Sequence, residues 1–480
     1  MTQPDTKTQT IRAWEDDPGQ PPATRQPIQR PVPDGSGTAL AVGVAGARPA
    51  QSGDFAGSEE FRYWAAADAL SRAVTFWDRH LPTGTAWNPD VGPVLEAVLD
   101  SGDRLNAFYD REGLKFFRHS VSGVTVHSGE SPDVVCHETG HAVLDALRPE
   151  LWGAFSAEIA AFHESFGDMS AILSSLDVGS LADDILAETH GNPAQSSRLS
   201  RLAEQLGWAI RQNAPAKVES DCLRNAANSW FYQDPVVLPP LAPASQLSSE
   251  PHYFSRVFTG AFFEGLAGIF RQQQNRDGAG LVQAGDIMGR LLVTALRTAP
   301  VVPGFFAQAA AHMLAADHAL YGGAHTPALS AAFIRHGILS PGETISLATL
   351  PEEHLAAVTE PEPGPLPSLA ETTVPGERFG LTDAFSVRVP GQEPRFQVAG
   401  AAPEAGELRQ IATPERAALS FVEDLFRQGR VKVPDEILTP AAPVVDGTRT
   451  HTHAVARTDS GGLRLDRVLF AAPCDRTPPR

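Results

Sequence analysis

The sequence predicts a mixed α+β fold, and two patterns along the chain indicate it. Residues 105–126 show short apolar runs separated by turn residues, which is typical of strands. Residues 131–336 instead carry apolar side chains mostly at helical spacing, with proline or glycine at several helix ends. A strand-bearing part followed by a helical part is the order expected of an α+β protein. The clearest predicted helices cover residues 59–80, 157–174, 252–272, 285–298, 305–321 and 326–336.

The 480 residues divide into five predicted segments. Residues 1–58 are rich in proline, glycine, glutamine and threonine, and this composition predicts disorder. Residues 59–175 would form a first lobe, and residues 176–349 a second lobe made of helices. Residues 350–377 are rich in proline and glutamate and indicate a linker. Residues 378–480 are predicted to form a small α+β module of unknown role. The predicted elements of this module are a helix at 417–428 and strands at 450–457 and 462–471.

Composition limits the class of partner and the compartment. The net charge of -19 and the scattered basic residues argue against nucleic-acid binding, so a polypeptide or small-molecule partner is favoured. No uninterrupted apolar run reaches the ~18 residues of a membrane span. Residues 1–17 lack the apolar core of a signal peptide, which predicts a cytoplasmic protein, although export without a leader stays open. The three cysteines are too few for a disulfide framework, and Cys136 is expected to be a small buried side chain. Nothing in the sequence indicates an oligomeric state.

The strongest chemical signal is His137-Glu138-Thr139-Gly140-His141, in a segment with helical periodicity that proline ends at position 149. Two histidines four residues apart project from one face of a helix, so both imidazoles can reach one metal ion. Glu138 points about 100° further round the helix, where it can reach a metal-bound water without being a ligand. The spacing therefore predicts a zinc motif.

A catalytic zinc ion needs a third protein ligand, and the next predicted helix supplies one. Glu164 has the right residue type, and Asp168, one turn later, is placed to accept the free N–H of a ligand histidine, most simply His137. Glu158 is a rival ligand, but no carboxylate follows it four residues later. His163 points elsewhere on the helix, where a surface or packing role is favoured. We expect one zinc ion held by two histidines and Glu164.

With these residues the chain resembles the thermolysin-like zinc metalloendopeptidases, a gluzincin family, over roughly residues 60–342. Other stretches that resemble this family are Asn106-Ala107-Phe108-Tyr109, Leu223-Arg224-Asn225, His252-Tyr253-Phe254-Ser255 and the segment from Ala315 to Gly322. The resemblance implies a two-lobed fold, with a strand-bearing first lobe, a helical second lobe and the zinc helix at the floor between them.

The resemblance also implies a role for each residue of the site. Glu138 would be the general base that takes a proton from the zinc-activated water, and His252 would stabilise the transition state. Asn106 and Ala107 would bind the backbone of an extended polypeptide substrate, and Arg224 would lie beside the primed-side pocket. From the residues alone, the strand could equally be an ordinary sheet edge, and Arg224 a surface salt-bridge arginine.

Three departures from the family bear on the mechanism. The tyrosine that assists the oxyanion is absent from residues 148–157, where Trp152 and Phe155 stand instead. The aspartate that orients the family's histidine is replaced by Leu247, although Glu250 is near. Acidic residues for the paired calcium site are sparse, so calcium binding is unsupported.

Two alternatives to a peptidase stay open. The chain could be a binding protein with a degenerate peptidase fold and a structural zinc, but the presence of Glu138 argues against it. It could also be a zinc hydrolase that acts on a non-peptide amide or ester, but the strand at Asn106 makes a peptide substrate more plausible.

Overall fold

The computed structural model describes residues 10–22, 25–33, 38–50, 56–348, 369–391, 412–439 and 450–471. The fold is 46% helical and 15% strand, which confirms the predicted mixed α+β class. Its helices are α1 (Glu59–Asp78), α2 (Pro132–Leu147), α3 (Glu150–Gly153), α4 (Ala157–Leu176), α5 (Gly179–Glu188), α6 (Glu204–Asn213), α7 (Pro251–Gln272), α8 (Gly278–Leu296), α9 (Phe305–Tyr321), α10 (Thr326–Arg335), α11 (Pro341–Leu347) and α12 (Pro414–Arg427).

Two five-stranded sheets carry most of the strands. The first sheet has the order β16-β5-β6-β4-β3, and the second, which we call the module sheet, has the order β11-β12-β15-β14-β13. The strands are β1 (Thr10–Ala13), β2 (Ile28–Pro31), β3 (Ala41–Val44), β4 (Val94–Val98), β5 (Ala107–Tyr109), β6 (Leu114–Phe116), β7 (Arg118–Val121), β8 (Val124–His127), β9 (Arg201–Leu202), β10 (Arg224–Asn225), β11 (Ala370–Val374), β12 (Phe385–Val389), β13 (Val431–Lys432), β14 (His453–Arg457), β15 (Leu463–Arg467) and β16 (Phe470–Ala471). Strands β5 to β8 confirm the strands predicted within residues 105–126.

Helix α2 begins and ends where its sequence predicts. The Ser131 hydroxyl accepts a hydrogen bond from the Val134 N–H at 3.4 Å, and Pro132 occupies the first turn, where its missing N–H costs nothing. The helix ends at Leu147, before Pro149. All but its last two residues are buried, because the helix lies between the first sheet and α4.

Helices α2 and α4 pack against each other, and two glycines allow their close approach. A Cβ at Gly140 would lie 2.7 Å from the Ser170 hydroxyl, and a Cβ at Gly167 would lie 2.6 Å from the His137 ring. Since a close-packed interior has no room to relieve such contacts cheaply, neither position accepts a larger side chain without movement. The pairing fixes the two helices that carry the predicted ligands side by side.

Helices α7 to α10 form the helical part of the protein around α4, and phenylalanines such as Phe162, Phe258 and Phe306 pack at its centre. The structure confirms the helices predicted at 252–272, 305–321 and 326–336. The helix predicted from residue 285 starts earlier, because Asp277 caps it by accepting from the Gly280 N–H at 3.0 Å. Helix α8 is long and apolar enough to cross a membrane, but 67% of its 18-residue window is buried, as in a core helix.

The predicted disorder of residues 1–58 is wrong for the parts of that segment that the structure describes. Strands β1 and β2 pair antiparallel, Ile11 packs against Trp64 of α1, and β3 extends the first sheet beside β4. Asp17 accepts a hydrogen bond from the Ser131 hydroxyl at 2.6 Å, across 114 positions of the chain. The composition of residues 1–58 did not predict these strands and contacts, because the residues that stabilise them are distant in sequence.

The C-terminal part forms the module sheet, and α12 packs on it through a core that contains Phe385 and Phe421. Phe155, which precedes α4, joins the same core and so connects the module to the rest of the protein. Strand β11 lies inside the linker predicted at 350–377, so that prediction is wrong for β11, while residues 349–368 lie outside the described part. The strand predicted at 462–471 is two strands: β15 stays in the module sheet, and β16 pairs with β5 of the first sheet.

Candidate metal centre

Three predicted ligands meet at one buried point. His137 and His141 lie one turn apart on α2, and Glu164 faces them from α4. Their ligand atoms lie within 4.8 Å of one another: Glu164 Oε2 is 3.3 Å from His137 Nε2 and 3.8 Å from His141 Nε2. Two imidazoles and one carboxylate are a donor set that catalytic zinc uses, with a fourth position left for water or substrate. The residues present therefore fit a zinc ion.

His137 is held by a network of charged groups. Its Nδ1 lies 3.0 Å from Asp168 Oδ1, as the sequence predicts. Arg224 binds the same carboxylate through two nitrogens, at 3.0 and 2.5 Å. Burial alone would lower the pKa of His137, but hydrogen bonds to Asp168 and Glu164 outweigh it and raise the pKa to about 9. The network fixes the ring orientation and leaves Nε2 facing Glu164.

His141 is held differently. Its Nδ1 has no hydrogen-bond partner among the described residues, and burial lowers its pKa well below the usual value. The Phe470 ring stacks on the His141 ring, with centroids 4.7 Å apart and planes 15° apart. The same phenylalanine stacks on His163 at 4.2 Å. Packing against Phe470 therefore orients this ligand, and His163 has the packing role that was favoured for it.

Glu138 is a buried carboxylate with one oxygen that receives no hydrogen bond from the part of the chain that the structure describes. It is 1% exposed, and its Oε2 has no hydrogen-bond partner among the described residues. Burial raises the pKa of Glu138 to about 8, and the nearby Glu164 charge adds to this. An unpaired buried carboxylate costs free energy unless a donor reaches it. A water molecule at the ligand cluster would be such a donor.

His252 is positioned by Glu250, which lies two residues before it in the chain. The Glu250 carboxylate lies 2.7 Å from His252 Nδ1 and also accepts from the backbone N–H groups of His252 and Tyr253, so one side chain caps α7 and orients the ring. The His252 Nε2 lies 3.1 Å from Glu164 Oε2 and donates to the Ala471 carbonyl at 2.7 Å. The sequence signal for this cap was a glutamate immediately before Pro251.

Two of the predicted substrate-binding residues, Asn106 and Arg224, are buried, and most of their polar groups are already bonded. Asn106 is fully buried, and its side chain accepts from the Ala107 N–H at 2.9 Å and lies 3.4 Å from the Thr450 hydroxyl. Arg224 is buried and paired with Asp168 rather than exposed at the surface. Its Nη1 alone has no hydrogen-bond partner among the described residues.

The three remaining candidates bond to or pack against residues other than His137, His141 and Glu164. Glu158, the rival ligand, accepts from the Phe306 N–H at 2.9 Å and from the Tyr232 hydroxyl. Trp152 and Phe155 pack instead against Phe470 and the module core, respectively. Neither aromatic residue supplies the hydroxyl that the family pattern has in this stretch.

Two residues of the site were not found from the sequence, and both come from the module. Phe470 covers His141, and the Arg467 guanidinium lies 4.0 Å from the Phe470 ring centroid. Burial lowers the pKa of Arg467 to about 9. The local pattern of residues 462–471 predicts a strand but does not predict which strand it pairs with. It therefore could not place Phe470 and Arg467 beside His141.

Comparison with models of known protein families and with curated proteins matched none of them. The geometry of the buried cluster therefore carries the functional argument.

Proposed function

We propose that this protein is a zinc-dependent metalloendopeptidase with a thermolysin-like, two-lobed catalytic part. The observation that carries the proposal is the position of Glu138 on α2. Glu138 adjoins His137 on this helix, and its Oε2 receives no hydrogen bond from the described residues, while His137 and His141 converge with Glu164 on one point. A purely structural metal site has no use for such a group, whereas hydrolysis needs a base beside the metal.

Each polar group has a role in peptide hydrolysis. His137, His141 and Glu164 would hold the zinc, which when bound supplies Lewis acidity toward water and toward the scissile carbonyl. Glu138 takes a proton from the attacking water and returns it to the leaving amine. His252 donates its Nε2–H to the carbonyl oxygen as negative charge develops there, and such a donor is typically worth ~3 kcal/mol. Glu250 keeps the ring aimed at that oxygen.

The surroundings of Arg224 support an apolar residue next to the cleaved bond. Arg224 and Glu138 line one small cavity, together with the apolar side chains of Leu202, Leu206 and Leu223. The Nη1 of Arg224, which has no hydrogen-bond partner within the described ranges, can donate to a backbone carbonyl of the substrate. This arrangement agrees with cleavage on the N-terminal side of a hydrophobic residue.

A second candidate, a binding protein with a structural zinc, is favoured by one observation. The side chains of the site are all buried: His137 is 8% exposed and Glu138 only 1%. The two cavities beside them have volumes of about 20 and 30 Å³, which is too small for a substrate side chain unless the lining side chains move apart. A cleft that stays permanently closed would hold metal without catalysis.

Cleavage of a diverse peptide mixture, followed by mass spectrometry, separates the two candidates. The wild type is compared with Glu138→Gln, which keeps the three ligands and removes the base, and zinc content is measured for both. We expect cuts from the wild-type sequence that disappear in Glu138→Gln and in excess chelator. Cleavage that survives the chelator, or that is equal in both proteins, would contradict the proposal.

A further inference from the structure

The edge of the first sheet beside the metal centre is occupied by a distant part of the same chain. Strand β16 pairs antiparallel with β5, so that Phe470 lies opposite Tyr109 and Ala471 opposite Phe108. An extended peptide that joins a free sheet edge in this way is a common mode of peptide recognition, in which main-chain bonds supply affinity. The edge that the sequence predicts for a substrate backbone is therefore already paired.

The two residues of β16 make the contacts that a bound peptide would make. The Ala471 carbonyl accepts the His252 Nε2–H at 2.7 Å, the bond assigned above to a scissile carbonyl. The Phe470 side chain is 2% exposed and lies flat on the rings of His141 and His163. The Ala471 carbonyl and the Phe470 side chain thus occupy neighbouring positions along the cleft, as the carbonyl and side chain of an extended peptide would.

The module holds β16 in this position. Arg467 and Trp152 exchange hydrogen bonds, with each side chain donating to the other's carbonyl, at 3.2 and 3.3 Å. Thr450, just before β14, accepts from Arg104 at 3.1 Å and lies within hydrogen-bond distance of Asn106. Because these contacts tie both ends of the β14–β15 hairpin to the cleft, β16 is a tethered ligand with a high effective concentration.

We propose that the Phe470–Ala471 strand is a built-in competitor of substrate, which slows cleavage by the wild-type protein because substrate enters the cleft only while the strand is displaced. The module is then an inhibitory domain whose C-terminal strand takes the place of an extended peptide with an aromatic side chain against His141. Release of β16 from β5 opens the edge strand, frees the His252 Nε2–H and uncovers His141. That β16 occupies the cleft does not depend on catalysis. Only the statement that β16 competes with a peptide substrate rests on the proposed peptidase function.

The first test uses the full chain with Phe470→Ala, with Val468→Ala as the matched control. Val468 lies two positions away in the same segment but is 38% exposed, so its truncation should leave β16 in place. Three quantities are measured: hydrogen exchange of the β5 amides, the rate at which dipicolinate removes bound zinc, and cleavage of the peptide mixture. We expect Phe470→Ala alone to raise exchange and zinc release roughly tenfold or more, and to give new or faster cleavage.

The outcomes separate the two proposals. Faster exchange and zinc release with cleavage support both. Faster exchange and zinc release without cleavage, in a protein that still binds zinc, support the proposal that β16 blocks the cleft. The same result overturns the proposed peptidase function. If hydrogen exchange and zinc release are equally fast in Phe470→Ala and Val468→Ala, the proposal that β16 blocks the cleft is overturned, whether or not peptides are cut.

A second variant avoids dependence on the folding of Phe470→Ala. Phe108→Cys with Ala471→Cys puts two thiols opposite each other in the β5–β16 pair, where antiparallel Cα atoms lie about 4.5–5.5 Å apart, within the range for a disulfide. Cys474→Ser, outside the described residues, removes a competing thiol. The oxidised protein should release zinc roughly tenfold more slowly than the same protein after reduction. Equal rates in the two redox states would show that β16 does not gate the cleft.

Discussion

The two histidines of α2 face the same carboxylate, yet they are supported in opposite ways. His137 is fixed by an ion pair: Asp168 holds its Nδ1, and Arg224 holds Asp168. His141 has no hydrogen bond at Nδ1 among the described residues and is held by the flat face of Phe470. The support of His137 comes from residues 168 and 224, whereas the support of His141 comes from the end of the module.

The difference teaches that one predicted ligand is positioned permanently and the other conditionally. A hydrogen-bonded carboxylate behind a ligand histidine fixes both tautomer and direction. A stacked ring restrains the plane of the imidazole but leaves its rotation within that plane less constrained. If Phe470 leaves with β16, His141 loses its support while His137 keeps its own.

The largest effect is expected from Gly167→Ala. The new Cβ would lie 2.6 Å from the Nδ1 and Cε1 atoms of His137, in the slot that the ring now fills. The ring must move away from Asp168, so we expect zinc affinity to fall by roughly 100-fold or more, as measured by competition with a chromophoric chelator. Gly265→Ala, where the nearest atom is the Leu329 Cδ2 at 3.3 Å, is the control. Equal affinity in the two variants would mean that the position of His137 does not matter.

The next effect is expected from Asp168→Asn, which breaks the charged support of His137. Loss of such a partner typically lowers metal affinity 10–100-fold. The buried Arg224 also loses its counter-charge, so unfolding free energy should fall on the order of 3 kcal/mol. Adding Arg224→Met should restore stability but leave zinc affinity low. If affinity returned together with stability, Asp168 would act on the fold and not on the ligand.

A smaller effect is expected from Phe470→Leu, which keeps an apolar side chain and removes the stacked ring. We expect zinc affinity to fall only a few-fold, since aromatic stacking contributes about 0.5–1.5 kcal/mol. Phe379→Leu is the control, because Phe379 stacks on Phe426 at 4.3 Å inside the module. Both should lower stability by similar amounts in a thermal melt. A fall in affinity as large as that of Asp168→Asn would contradict the ranking of the two supports.

The smallest effect on zinc is expected at the start of α2, where Asp17 and Asp133 are buried together. Burial raises the pKa of Asp17 to about 6, and burial together with the Asp17 charge raises the pKa of Asp133 further above its usual value. The folded state therefore binds protons more tightly than the unfolded state, so stability falls as the pH rises from about 4 to about 6. We expect Asp17→Asn to gain on the order of 1–3 kcal/mol near pH 7, with little change near pH 4 and unchanged zinc affinity.

Urea unfolding across this pH range checks the prediction for Asp17. Asp16→Asn is the control, because Asp16 pairs with Arg198 at 2.7 Å and its replacement should lose stability near pH 7. A pH profile of Asp17→Asn that matches the wild type would show that Asp17 is not the titrating group.

The ligand cluster was predictable because its signals are local. A spacing of four residues puts His137 and His141 on one helix face, and the same spacing between Glu164 and Asp168 lets one helix supply both the ligand and the support of His137. Local periodicity also predicted α2, α4 and most of the later helices. Each of these rests on contacts within one or two turns of a helix.

The parts that could not be predicted depend on pairing between distant segments. The described parts of residues 10–50 are held by contacts with α1, the Ser131 cap of α2 and Arg198, and their polar composition carries no sign of those partners. The sequence of β16 predicts a continuation of β15. In the structure the two strands are separated by Val468 and Leu469, and β16 pairs with β5 instead. The sequence places Glu250 near His252, but only the geometry of α7 shows that Glu250 both caps the helix and bonds to the histidine ring.

The contact between Ala471 and His252 also sets an order of events during biosynthesis. The two residues are 219 positions apart, so a ribosome that adds about 5–20 residues per second finishes β16 roughly 10–40 seconds after it has made the last residue of the metal centre. In that interval the nascent chain can fold α2, α4 and the start of α7 before any covering strand exists. A growing chain would thus pass through a state with an exposed cleft, and pairing across 344 positions, as between Asn106 and Thr450, would be the last step of folding.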